Sequence, residues 1–499
     1  MLYYTARSIY RLYFHPLAKV PGPWLAAISS LYEFYWDCLK SGRFHTKINW
    51  MHDQYAGSIV RINPWEVHIN NPAYVDTLYN NNKLDKDFFV YGCFGTDTAS
   101  FSTVDGSTHR MRRDPMGPFF SRANVRKLEY RVLARVRQLC DRIVGFAAED
   151  QPFCIGDAYR CLAADVVTDF AMPETKTLLA HPDFASKFVQ SIRDLSRTII
   201  WNRHLRILTP ILANLPRALV VALDRSGEMT GVVDMNLDVQ HQAKMVTEGR
   251  STKDYPTVLN AIYTSTSLSP HERDYHRIAD ETLAIMAAGT ETTGATLAHL
   301  TYHVLSNPRI LQTLKAELNK AAAEHNVPRT ELLDCSIVEG IPYLQALMKE
   351  TLRYATPITG RLPRRNSTAP MVYTSPSGTT YVLPPGTSIS MTPRDLHFNP
   401  AIFASPYEYK PERWLPSITA PEDLARMNKY LMPFGKGARI CLGIELAKQE
   451  ILLTAGNLFW KFEFELWKTG PEEVAYVHDF FGAWARTDSK GVRVRVSGM

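Results

Sequence analysis

Residues Phe434 to Gly443 read Phe-Gly-Lys-Gly-Ala-Arg-Ile-Cys-Leu-Gly, and this run restricts its part of the chain more than any other. Gly435, Gly437 and Gly443 permit backbone angles and close approaches that a β-carbon forbids. From Leu442 to Leu453 there is no Pro, and no Gly after Gly443, while apolar residues recur at helical spacing. A glycine-rich loop therefore feeds a helix, with Cys441 at its N-terminus. The helix dipole and free backbone N–H groups there favour a thiolate over a thiol. A lone cysteine is more often a small buried hydrophobe, so the surrounding loop marks this one for chemistry. Arg439 adds a permanent positive charge two residues upstream.

The other cysteines, Cys38, Cys93, Cys140, Cys154, Cys161 and Cys335, are scattered, and no Cys-x-x-Cys pair occurs. That pattern argues against a disulfide framework or a zinc site and for a reducing compartment. The 499 residues carry a formal charge of +6. This suits a surface that meets acidic partners or anionic lipid and is weak evidence for nucleic acid. No stretch of about twenty apolar residues is present to span a membrane. Residues 1–14 mix Tyr3, Tyr4, Tyr10, Tyr13 and Phe14 with Arg7 and Arg11. Such a mixture suits a membrane interface, and equally an ordinary surface helix. Pro21-Gly22-Pro23 then makes a stiff turn.

Neither a repeat nor a low-complexity block interrupts the chain. Ser58 to Ile69 alternates in part around Asn63-Pro64 and reads as a hairpin. Arg122 to Ala148 reads as one long amphipathic helix. The apolar stretch 207–223 is broken by Pro210 and Pro216, and reads as a loop dipping into lipid or as core. Asp274 to Ser306 lacks Pro and keeps helical spacing until Asn307-Pro308 stops it. Pro308 to Glu324 and Ile341 to Tyr354 read as further helices. Short β-like runs follow between Met371 and Ile389. One large, mainly α domain with small sheets is expected.

Three further motifs stand out. Ala288-Gly289-Thr290-Glu291-Thr292-Thr293 lies inside the long helix, where a glycine costs about 1 kcal/mol against alanine. A stretch that disfavours its own helix is often where ligand or water must approach; threonine hydroxyls bonding back to the preceding turn are the ordinary alternative. Glu350 and Arg353 share a helix face at i,i+3 spacing, which alone means a surface salt bridge. His109 and Arg113 are i,i+4 neighbours in a basic run.

Taken in chain order, these motifs with Pro411-Glu412-Arg413-Trp414 and Phe-x-x-Gly-x-Arg-x-Cys-x-Gly resemble the signatures of the cytochrome P-450 monooxygenases, most of all fungal microsomal members. The resemblance implies haem b held between the long central helix and the cysteine loop, in a single fold over residues 24–499. Residues 1–23 would be a membrane-proximal segment and proline hinge, with the family's spanning anchor absent from this chain. Cys441 would be the thiolate ligand of the iron, in a loop shaped by Phe434 and Gly435. Arg439, Arg113, Arg361 and His109 would meet the haem propionates; family members often have tryptophan where His109 stands. Ala288 and Gly289 would leave room over the haem face, Thr292 would face bound dioxygen or a water beside it, and Glu291 would belong to the proton supply. Glu350, Arg353 and Arg413 would form a buried ion network behind the haem.

The resemblance further implies a lipophilic small-molecule substrate, a secondary metabolite such as a terpenoid or polyketide, oxidised with O₂. Electrons would come from NADPH through a flavoprotein reductase, with a cytochrome b-type donor as a second source. Basic residues Arg110, Arg112, Lys436 and Lys448 are candidates for docking the reductase. Substrate contacts are expected from residues 88–101 (Phe101), 199–223, the helix face at Ala284 and Ala288, and residues 478–484 (Phe480 and Phe481). The expected setting is a monomer on the cytosolic face of the endoplasmic reticulum membrane. Rival readings keep the fold as an isomerase, dehydratase or peroxygenase, or as a non-catalytic haem-binding protein. The acid–threonine pair Glu291-Thr292 speaks against them.

Overall fold

The computed structural model describes residues 1–206, 215–225 and 227–498. Its axis is the helix Tyr275–Leu305, 31 residues long, or about 45 Å at 1.5 Å per residue. The Asp274 carboxylate accepts from the Arg277 N–H at 2.8 Å and starts it. At the far end Asn307 caps the next helix, Pro308–Glu324, with Pro308 in its first turn. Helices Ile155–Ala171, Glu228–Thr247 and Ile444–Lys461 pack against the central one. Between them lies the main hydrophobic core, with Leu162, Met286, Leu297, Leu300, Leu347 and Leu453 among its members.

Gly289 serves this packing, which corrects the expectation that it clears space over a cofactor. A β-carbon there would lie 2.7 Å from Val167 Cγ2 and 2.9 Å from Val167 Cβ on helix Ile155–Ala171. The missing side chain lets two helices approach. Ala288, by contrast, is exposed and is the residue of the pair with open space beside it.

Small sheets flank the helices. The largest has five strands in the order Ile59–Asn63, Glu66–Ile69, Ser388–Ser390, Arg364–Arg365, Asp85–Lys86. Its first two strands form the expected hairpin, with Val60 opposite His68. Asn63 Oδ1 accepts from the Trp65 N–H at 3.1 Å across the turn. At the other edge the antiparallel register sets Lys86 opposite Arg364. Strands Met371–Thr374 and Thr380–Leu383 pair as a separate ribbon.

Two expectations change. The helix foreseen over 122–148 is two, Arg122–Lys127 and Glu129–Ala148. The break is at Leu128, whose N–H is shared between the carbonyls of Asn124 and Val125 at 3.2 Å each. In the apolar stretch 207–223, residues 207–214 lie outside the described residues, and Arg217–Leu223 is a helix. The N-terminal segment forms the helix Leu2–Ile9 with Leu2, Tyr3, Tyr4, Tyr10, Tyr13 and Phe14 exposed. It is fastened to the hairpin, because Arg61 Nη1 donates to Arg11 O at 2.8 Å and Arg61 N to Pro21 O at 2.7 Å. No helix among the described residues is long and apolar enough to cross a membrane.

Gly289→Ala gives a sign test of this packing. Helix propensity favours alanine by about 1 kcal/mol, whereas overpacking typically costs about 1–3 kcal/mol. Val167 Cβ is fixed by its backbone and no rotamer change moves it away. The variant should unfold at a lower temperature than the parent; an unchanged or raised midpoint would show that the helices part without cost.

Candidate functional site

The cysteine loop is held by its own backbone. Gly435 and Gly437 have φ +71° and +68°. A β-carbon on Gly437 would come within 1.9 Å of Tyr79 O, so only glycine fits there. Cys441 N–H donates to Phe434 O at 2.8 Å, closing the loop. Gly443 caps helix Ile444–Lys461 at φ −86°, an angle open to any residue. The Cys441 side chain is exposed to interior space while protein surrounds it. Burial raises its thiol pKa, and the Gly443 N–H and the Arg113 charge offset this only in part. The expected thiolate is therefore not secured by the helix terminus alone. A metal cation at the sulfur would secure it.

Five basic side chains gather nearby. Arg113 Nη1 donates to Ile440 O at 2.5 Å, beside the cysteine. Arg439 donates to Thr103 O and Val104 O at 2.7 and 2.6 Å. Lys86 Nζ donates to Phe101 O at 2.5 Å, and Arg364 Nη1 to Tyr91 OH at 3.3 Å. Three of the five, Lys86, His109 and Arg439, are depressed in part by their basic neighbours. Burial pulls the Lys86 ammonium well below its ordinary value, and Arg364, Arg439 and Arg113 pull it further. His109 is pushed down to about 2 by burial and then by Arg439, Lys86, Arg113 and Arg364. Arg439 falls to about 10 through burial and Arg364. Like charges set opposite one another in a sheet are destabilising, and Lys86 and Arg364 are so placed. Such a well suits a dianion. Together with the cysteine loop it fits haem, which carries two carboxylates and takes an axial thiolate.

Sequence reasoning missed Lys86 and Arg364 and chose Arg361 instead. Arg361 is buried elsewhere, donating to Glu66 at 2.7 Å and to Glu33 at 2.5 Å. Two carboxylates already satisfy it, so it has no charge to spare for a propionate. The register of a cross-sheet pair was the only signal for Lys86, and it is absent from a linear pattern.

On the central helix, Thr292 Oγ1 donates to Ala288 O at 2.8 Å. Its proton is thus committed backward and its lone pairs face outward. Glu291 is gripped by Arg160, whose Nε and Nη2 each donate to it at 2.7 Å. Burial raises its pKa, but Arg160, with Arg193 beyond, outweighs burial and leaves it below the ordinary value. Glu291 is a paired carboxylate here, not a free acid.

The Glu350 network is assembled in full. Arg353 donates Nε and Nη2 to Glu350 at 2.9 and 2.8 Å, and Arg413 Nε adds a bond at 3.1 Å. Trp414 Nε1 donates at 2.9 Å and the Lys410 N–H at 2.8 Å. Trp414 and Lys410 were not foreseen in this role. Removing one partner from so buried a set costs about 3–5 kcal/mol.

The remaining candidates divide. Ala284 is half-buried, and Phe101 and Phe481 meet in one aromatic cluster at 5.9 Å. Phe480 does not join it; it packs with Ile200 and Trp484. Among the docking candidates Arg110 is exposed, while Arg112 is bound to Glu272 at 2.7 and 2.9 Å. A residue so paired has little free charge to steer a partner, which removes Arg112. Lys436 pairs with Asp76 at 2.8 Å and Lys448 with Glu445 at 3.2 Å.

Residues 23–478 match the family model described as Cytochrome P450. A cytochrome P450 monooxygenase of Ascocoryne sarcoides is 35% identical, over 99% of this chain and 96% of that protein. A tryptophan 6-hydroxylase of Fusarium equiseti is 34% identical, over 98% and 94%. A fusicoccadiene C-8 hydroxylase of Phomopsis amygdali is 32% identical, over 99% and 94%.

Lys86→Met separates the two roles of the well. Without a dianion it removes a buried like charge, so the haem-free protein should be as stable as the parent or more so. With haem it deletes a charge-assisted contact worth about 1.5–3 kcal/mol, so haem should leave about tenfold faster or more. Chemical denaturation of the haem-free form and haem transfer to an acceptor globin measure these. Loss of stability without faster haem loss would mean that Lys86 is only structural.

Proposed function

The chain belongs to the cytochrome P450 family, and from that premise we propose how its own residues divide the work. It is a haem-thiolate monooxygenase, taking O₂, a small-molecule substrate and electrons from a redox partner. When bound, haem supplies the activation of O₂ and the insertion of one oxygen atom into substrate. Cys441 offers the sulfur ligand, and Arg113 stands beside it, fixing the loop through Ile440 O. Lys86, Arg364, Arg439, Arg113 and His109 orient the cofactor by its carboxylates. The single observation that carries this assignment is the gathering of those five basic side chains around one cysteine loop, with Lys86 and Arg364 opposite each other in the sheet and Arg113 bonded to Ile440 O.

Thr292 holds a proton-accepting oxygen toward the space beside Ala288, because its own proton is committed to the helix backbone. Glu291 delivers protons only by leaving Arg160, so the ion pair meters their arrival. Glu350, Arg353 and Arg413 keep the fold behind the cofactor rigid and take no part in the chemistry. The electron donor is an NADPH-dependent flavoprotein reductase, with a cytochrome b-type protein as a second source. It docks through exposed basic groups such as Arg110. The catalytic domain spans 24–499, and the exposed aromatics of residues 1–14 rest on the endoplasmic reticulum membrane at its cytosolic face. The substrate is a lipophilic secondary metabolite.

Reconstituted with such a reductase under ¹⁸O₂, the enzyme should place one labelled oxygen in each product molecule for each NADPH productively consumed. Product lacking the label, or turnover without NADPH, would favour the isomerase or peroxygenase reading. Thr292→Ala should keep haem and substrate binding and release several-fold more peroxide per NADPH. Coupling unchanged across several good substrates would assign the proton-handling role to another group.

A further inference from the structure

Four aromatic rings meet beside the central helix. Phe94 lies 5.0 Å from Phe101 and 4.9 Å from Phe481, at interplanar angles of 84° and 81°. Phe101 lies 5.9 Å from Phe481 and 5.9 Å from Tyr91, at 81° and 69°. Every contact is edge-to-face, the arrangement that ring quadrupoles favour. Tyr91 and Phe481 are buried, and Phe94 and Phe101 are half-buried, so the latter two keep open faces.

The cluster is placed against the helix by hydrogen bonds. Ser100 donates from N and Oγ to Glu281 at 2.9 and 2.7 Å, and Thr98 N–H donates to Asp280 at 2.8 Å. Phe101 is the next residue. Ala284 and Ala288 follow Asp280 at successive intervals of four, so all three share one face of the helix. On the helix face that Asp280 shares with them, Ala284 and Ala288 present methyl groups alone, a flat ledge rather than a bulky wall, one and two turns on from the Thr98–Asp280 bond. The Lys86 ammonium, which belongs to the basic well, lies 4.0 Å from the Tyr91 ring and 4.3 Å from the Phe101 ring. The rings therefore adjoin the place where the cofactor carboxylates are held.

Phe481 is aimed at some cost. Its φ is +72°, a region that a bulky residue rarely adopts. The conformation is over-determined: its N–H donates to Asp479 Oδ1 at 2.8 Å and its carbonyl accepts from Gly360 N–H at 3.0 Å. A β-carbon on Gly360 would lie 2.9 Å from the Phe481 ring, so glycine there makes room for it. Strain kept at one ring beside a ligand space points to a function for that ring.

We propose that the molecule oxidised by this chain is a planar aromatic ring system, lying along Ala284 and Ala288 with its edge or face against Phe94, Phe101 and Phe481. The proposal rests on the monooxygenase reading and narrows its substrate class from lipophilic metabolites in general to aryl or indole-type skeletons. A saturated polycycle gains only from area removed from water, which aliphatic walls would supply equally. A ring continues the edge-to-face set.

Naphthalene and decalin, titrated into the haem-loaded enzyme, test this through the shift of the haem Soret band on binding. Decalin is the larger and more apolar bicycle, so area alone predicts that it binds tighter. Two added edge-to-face contacts reverse this, and naphthalene should bind about tenfold tighter. Phe101→Leu and Phe481→Leu should each reduce that ratio, and Phe94→Leu serves if either fails to fold. Decalin binding as well as naphthalene to the parent, no Soret shift with naphthalene, or a preference that survives in a Phe101→Leu/Phe481→Leu double variant would overturn the proposal. The same samples, reduced and exposed to carbon monoxide before any titration, report independently on thiolate ligation. A sample that passes that check and shows no aryl preference defeats the substrate class and leaves the monooxygenase reading standing.

Discussion

One carboxylate, that of Glu350, organises the half of the molecule that carries the cysteine loop. It is fully buried and accepts from Arg353, Arg413, the Trp414 indole and the Lys410 backbone. Two guanidiniums on one carboxylate leave donors in excess, and these go to backbone carbonyls. Arg353 Nη1 donates to His397 O and Pro406 O at 2.9 and 2.8 Å, and Arg413 Nη1 to Ala404 O at 2.7 Å. An irregular segment is thereby given the hydrogen bonds that a helix or strand would provide for itself. His397 passes the order on. Burial, then Arg353 and Arg394, push it down to about 3, so it stays neutral. Its Nδ1 faces Thr356 Oγ1 and Arg353 O, and its Nε2 accepts from the Met432 N–H at 2.9 Å. Met432 stands two residues before Phe434, so the chain of contacts ends at the start of the loop.

The other half of the site runs on charge. Lys86 and Arg364 face each other across two short strands, and Arg439, Arg113 and His109 close in on the same space. A protein does not bury that many basic groups together without an anion to receive them. The sheet edge and the cysteine loop are joined by Arg439, which bonds the carbonyls of Thr103 and Val104, while Lys86 N–H bonds that same Val104 carbonyl at 3.1 Å. The cysteine loop and the basic well are therefore parts of one framework, and a shift in either moves the other.

What the sequence disclosed followed from local rules. The cysteine loop, the hairpin at 59–69, the central helix and the helices at 308 and 342 were legible, because glycine, proline and periodicity act within a few residues. Residue pairs at i,i+3 were legible too, as Glu350 and Arg353 show. Three kinds of feature were not. Cross-sheet register decided that Lys86 and Arg364, not Arg361, form the basic well; three arginines at 361, 364 and 365 look alike in a linear reading. Helix packing decided that Gly289 makes room for Val167 and not for a ligand. Long-range pairing removed Arg112 from the exposed charge and tied Glu291 to Arg160. Each depends on what another part of the chain brings alongside.

The central claim is that Cys441 ligates haem iron through a thiolate. The spectrum of the freshly purified, dithionite-reduced, carbon-monoxide-bound protein tests it most directly. The account predicts a strongly red-shifted Soret band, which Cys441→Ala abolishes. A band at the position typical of histidine ligation in the folded parent protein would contradict it.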